Sequence, residues 1–171
     1  MWQLASAIGE IALRRRGPES LPASTFLVTG LLVVYVLVSL VYLALHENVT
    51  SLSLANLAAQ IVLVFGFVFA VLAFFKLERR YQQTMCAMLG VNVVILLTYL
   101  PFALGGLALN LDLTAAPFFW FRIGLALWSI FIEASIFARV LNQPLMLGLM
   151  FEMLYVVPSL NISEYFAPQA D

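Results

Sequence analysis

Four polar residues interrupt otherwise apolar stretches and are the natural places for chemistry: Glu133, Glu152, Asn92 and Arg139. Glu133 stands five residues before the end of an apolar run over 118–138, about 8 Å along a helix at 1.5 Å per residue. Glu152 stands seven residues into a run over 145–160, about 10 Å from the same side. Asn142-Gln143-Pro144 joins the two runs, so a tight helical hairpin would set both carboxylates at a similar depth. Asn92, seven residues into a run over 85–109, falls at that level, and Arg139 marks the mouth.

Ionisable side chains inside lipid cost about 2.5–3.5 kcal/mol on insertion scales, so they face the protein interior or take a partner. Two carboxylates held together tend to share one proton, which suits proton carriage. On this reading Glu133 and Glu152 form a proton-sharing pair with Asn92 as hydrogen-bond partner. The structural alternative has one glutamate neutral and bonded to a neighbouring helix, with the other paired to Arg139. Interhelical polar bonds of this kind contribute about 0.6–2 kcal/mol each.

Other chemistry is thinly provided for. Cys86 is the sole cysteine, flanked by Met85, Ala87 and Met88, and reads as a packing residue. His46 is the sole histidine, at the end of an apolar run, so no histidine or cysteine metal site is expected. There is no phosphate loop and no nucleophile elbow, and neither a catalytic set nor a cofactor is expected.

The elements that must position these residues follow from composition. The 171 residues are 64% hydrophobic and 10% charged, with a mean hydropathy of +1.03. Soluble domains are about 45–50% apolar and about 25% charged. A chain this small cannot hide such an excess in one core. A water-soluble globule, a disordered chain and a nucleic-acid binder are thereby disfavoured, and the bilayer is the expected partner. Five apolar runs approach the ~20 residues that a spanning helix needs: 24–45, 53–75, 85–109, 118–138 and 145–160. The last, at 16 residues, must extend through Asn161 and Ile162, thin the bilayer or re-enter. The expected fold is all-α, a polytopic bundle of five transmembrane helices over 22–162 with a short tail over 163–171. Short links make successive helices antiparallel neighbours.

Residues 1–21 form the remaining segment. Leu4, Ile8, Ile11 and Ala12 recur at helical spacing after Trp2, and Arg14, Arg15 and Arg16 follow. That pattern predicts a short amphipathic helix on the membrane surface, tied down by its arginines. The charge order is wrong for a secretory signal.

Basic residues sort to one side. Arg14, Arg15, Arg16, Lys76, Arg79, Arg80 and Arg139 fall on the N-terminal side, against Arg122 alone on the other, a bias of seven to one. The positive-inside rule then puts the N-terminus in the cytoplasm and the C-terminus outside. Phe118, Phe119, Trp120, Phe121, Tyr165 and Phe166 fit an aromatic belt. Arg122 is expected to snorkel outward, or to pair with Asp112. Pro101 with Gly105 and Gly106 suggests a kink. Gly66/Ala70 and Ala134/Ala138 offer close helix approach. The sequons at Asn48 and Asn161 are read as unmodified, and the inner membrane of a bacterium is the expected location.

The stretch Thr84-Met-Cys-Ala-Met-Leu-Gly-Val-Asn through Pro101, then Trp128-Ser-Ile through Arg139, and the Pro144-to-Tyr155 run resemble bacterial members of the Yip (Ypt-interacting protein) family over residues 84–160. The resemblance implies five spans, a cytosolic N-terminus and no catalytic residue. Eukaryotic members contact small GTPases. Their long cytosolic leader and its motif are not found here, so a GTPase is not the expected partner.

Two functional expectations result. The first is a non-enzymatic, Yip-like scaffold or accessory subunit that meets other membrane proteins, or itself, through helix faces. The second is a small proton-coupled transporter or channel using Glu133 and Glu152. A lipid-modifying enzyme lacks the residues it would need.

Overall fold

The computed structural model describes residues 2–46, 49–109 and 116–166. Six α-helices follow in order: α1 (Trp2–Ala12), α2 (Thr25–His46), α3 (Ser51–Phe74), α4 (Tyr81–Ala108), α5 (Ala116–Leu141) and α6 (Leu145–Tyr165). Single 3₁₀ turns over Pro18–Ser20 and Glu78–Arg80 lead into α2 and α4. No strand occurs among the described residues. Helices α2 to α6 are each long and apolar enough to cross a membrane. Phe26, Phe74 and Trp120 are 88%, 81% and 67% exposed, which lipid tolerates and water does not. The chain is a multi-pass integral membrane protein of five helical spans.

Local chemistry sets the helix ends. Thr50 and Ser53 form a capping box at the start of α3: Ser53 N–H donates to Thr50 Oγ1 (3.1 Å) and Thr50 N–H to Ser53 Oγ (2.9 Å). At the other end of the bundle three helices stop on a left-handed residue, Arg14 after α1, Lys76 after α3 and Asn142 after α5. In each case the next N–H reaches back five residues: Arg15 to Glu10 O, Leu77 to Leu72 O and Gln143 to Ala138 O, each at 2.8 Å. These are Schellman closures built without glycine. They gather Arg14, Lys76 and Arg139 at one end, hereafter the basic end.

Two helices outrun their apolar signal. Helix α4 starts at Tyr81 rather than residue 85, because Gln82 donates to Thr25 Oγ1 (2.8 Å), Gln83 to Leu21 O (3.0 Å) and Thr84 Oγ1 to Arg80 O (2.9 Å). Helix α6 continues past Pro158 to Tyr165, with Asn161 Nδ2 donating to Val157 O (2.7 Å). Its 21 residues give about 31 Å, enough to span.

Packing departs from the expected chain of neighbours. Helix α4 is central, packed by α1, α2, α3 and α5, and α5 packs tightly on α6. Helices α2 and α3 do not lie along one another. Among the described residues α2 packs on α4, α3 packs chiefly on α6, and a gap opens between them. Loop length permits neighbours; side chains decide whether they meet. Gln60 of α3 donates to Ser159 O (2.8 Å) and Ser163 Oγ (3.0 Å), and accepts from Ser159 Oγ (2.9 Å), which holds α3 to α6.

Helix α1 turns apolar side chains toward the bundle. Ile8, Ile11 and Ala12 are buried in the same core as Met85, Met88 and Leu89 of α4, and Ile8 rests on Gly90. These side chains are therefore covered by protein rather than by lipid. The side chain of Leu4 lies outside those described. Residue 90 admits this contact because it lacks a Cβ, which would meet Ile8 at 3.0 Å.

Candidate functional site

Helices α5 and α6 approach closely at Gly148, where a Cβ would collide with the backbone carbonyl of Ala134. Ala134 and Ala138 thus receive Gly148, as their small size allows. Gly66 instead faces open space, so its spacing with Ala70 marks no helix contact at that glycine. Glu152 lies one turn beyond Gly148 on the same face of α6, and Glu133 precedes Ala134 on α5. Both carboxylates are buried, 5% exposed for Glu133 and 2% for Glu152, and each lies within electrostatic reach of the other.

Their surroundings are unequal. Asn92 Nδ2 donates to Glu133 Oε1 at 3.0 Å while also donating to Met88 O at 3.0 Å. Glu152 Oε2 is buried without a hydrogen-bond partner. Tyr35 of α2 and Tyr155 of α6 both stand within electrostatic reach of Glu133; Tyr35 pairs with Ser39 and Tyr155 with Ser159, each one turn on. Four helices thereby bring hydroxyl, amide and carboxyl groups to one level of the apolar layer.

Arg139 is elsewhere. Its Nη2 donates to Arg14 O (2.9 Å), pinning the turn after α1 to the end of α5. Asn92, Glu133 and Glu152 come together, and Arg139 does not join them. No cation lies in ion-pair range of either buried glutamate; among the described residues the one ion pair is Arg16 with Glu10. The Glu–Arg139 pair of the structural alternative is therefore not formed.

A cleft of about 260 Å³ runs from the far end of the bundle to Tyr35 and Asn92 at this level; neither glutamate lines it. Ser53, Asn56 and Gln60 of α3 line one wall, Tyr35, Ser39 and Tyr42 of α2 the other, and Asn92 lies in its lining. Asn56 Oδ1 has no partner there. Toward the basic end the same gap becomes apolar, lined by Leu32, Ile61, Val62, Phe65 and Phe69.

The sequence did not single out Tyr35, Ser39, Asn56, Gln60 or Tyr155. Asn56 and Gln60 carried the same signal as Asn92, an amide within an apolar run. The tyrosines carried none, because aromatic residues are ordinary in spans. One further position differs from expectation. Phe118 is buried against Phe102 (4.7 Å between rings) rather than in an outward belt, whereas Phe119 and Trp120 are exposed. Arg122 is exposed and lines a shallow hollow with Tyr42 and Tyr99; Asp112 lies outside the described residues, as does Asn48. Cys86 is fully buried. Among the described residues no three His, Cys, Asp or Glu side chains cluster.

No protein-family model, curated protein or solved structure matches the chain.

Proposed function

We propose that the chain is a small proton-coupled transporter or channel in which Glu133 and Glu152 carry the proton. The observation that supports this is the pairing of a satisfied carboxylate with an unsatisfied one. Glu133 is held by Asn92, whereas Glu152 keeps a buried oxygen with no partner. A purely structural glutamate is expected to be fully bonded, since an unmet buried polar group costs about 1–3 kcal/mol. A group that must take up and give up a proton needs an open position. The polar cleft between α2 and α3 supplies a route toward Asn92 from the far end. The seven-to-one sorting of basic residues supports a cytoplasmic basic end; the location proposed with it is the inner membrane of a bacterium.

Purified protein in liposomes loaded with a pH-sensitive dye tests this directly. A potassium–valinomycin potential should drive proton entry faster than in protein-free vesicles. The Glu133→Gln/Glu152→Gln variant should remove that difference. Wild-type proton entry no faster than in protein-free vesicles, whether or not Na⁺, K⁺ or small organic amines are added, would overturn the reading.

A Yip-like, non-enzymatic scaffold is the second reading, supported by the five-span count that the resemblance implies. Co-purification of one stoichiometric membrane partner, with no proton flux, would favour it.

A further inference from the structure

A second polar hollow lies at the basic end, outside the carboxylate site. It holds about 460 Å³ between the start of α4, the end of α5 and the turn before α2. Its floor includes Thr84, which is fully buried; Arg80, Arg139, Glu19, Gln83 and Asn142 surround it. Both arginines are aimed by backbone carbonyls. Arg80 Nη1 donates to Val140 O (2.7 Å) and Arg139 Nη2 to Arg14 O (2.9 Å). A guanidinium has five N–H donors, so each keeps most of its fork free. No carboxylate lies within ion-pair distance of either one among the described residues, Glu19 included.

We infer that this hollow binds the phosphate of a phosphate ester, with a membrane phospholipid headgroup as the source favoured by its position. Guanidinium forks match phosphate oxygens in pairs, and here two are held in place before any ligand arrives. The two arginines and Glu19 leave one positive charge uncompensated, the complement of one phosphodiester. Arg139 stands on the last turn of α5 and Arg80 in the 3₁₀ turn that leads into α4, the level at which headgroups lie, and basic pockets between helix ends suit such ligands. Glu19 is placed on the same rim to take an ammonium, so an ethanolamine headgroup would use both signs.

Native mass spectrometry of the full chain, with phosphatidylethanolamine, phosphatidylglycerol and inorganic phosphate added separately, tests the assignment. One lipid should remain bound per protomer at energies that strip the rest. Arg80→Gln/Arg139→Gln should weaken its retention about tenfold or more, since each headgroup-level charge is worth about 1 kcal/mol. Glu19→Gln should weaken only the ethanolamine lipid. Arginine-dependent binding of inorganic phosphate without lipid retention would keep the phosphate assignment and make the source soluble. Because both arginines also hold the fold, Asn142→Asp is measured alongside. It adds a negative charge to the rim at a left-handed position that aspartate accepts, and should weaken retention too. A folded Asn142→Asp or double-arginine variant that retains lipid and phosphate like the wild type overturns the inference.

Discussion

Asn92 Nδ2 lies 3.0 Å from Glu133 Oε1 and so ties the third span to the fourth within the apolar layer. The bond has a testable weight. Asn92→Leu removes the donor and leaves Glu133 buried without it, an expected loss of about 1–3 kcal/mol in unfolding from mild detergent. Glu133→Gln keeps an oxygen to accept from Asn92 and should cost less. A double-mutant cycle between Asn92→Leu and Glu133→Leu should give a coupling of about 0.6–2 kcal/mol; additive effects would mean the contact is absent.

Glu152 should behave in the opposite way. Its Oε2 has no partner, so Glu152→Leu relieves a buried polar group instead of breaking a bond. Thermal unfolding in detergent should show equal or greater stability, by up to about 2 kcal/mol, together with loss of proton flux. A destabilised Glu152→Leu protein would indicate a bonding role for this carboxylate and count against a poised one.

Two glycines that look alike in sequence should answer differently. Gly148 faces the Ala134 carbonyl, and a methyl there must push α6 off α5; Gly66 has open space around it. Gly148→Ala should lower stability by about 1–3 kcal/mol and disturb proton flux, since Glu152 is one turn away. Gly66→Ala should be neutral or stabilising by about 0.5–1 kcal/mol, the usual helix gain. Melting curves of the two variants side by side decide it.

These contrasts mark how far the sequence could be read. Five spans, their order and the gathering of basic residues at one end follow from hydropathy and charge, because lipid forces apolar helices and loops carry the remainder. The level of Asn92, Glu133 and Glu152 follows from counting along helices joined by a three-residue turn. Counting could not give azimuth, which decides that Arg139 turns to Arg14 and away from the glutamates. It also could not show that Gln60 draws α3 to α6 and opens the cleft. That outcome depends on three hydrogen bonds between residues about a hundred positions apart. Nor could it show what covers the N-terminal helix: an apolar stripe reads the same whether protein or lipid covers it.

The placement of α1 gives the last test. A helix that met only the bilayer would leave Ile11 in lipid, and a change there would alter membrane contact without touching the bundle. In the structure Ile11 is 1% exposed, within the core that contains Met85 and Met88 of α4. Ile11→Asp would bury a carboxylate among these side chains, with an expected loss of several kcal/mol or failure to fold. The milder Ile11→Cys, made in a Cys86→Ala background, keeps the site apolar. Its thiol should resist a membrane-permeant maleimide in native detergent micelles and react after denaturation. A thiol at position 13 should react in both, because Leu13 is 58% exposed. Equal labelling at 11 and 13 in the native protein would remove the packing role of α1 against α4.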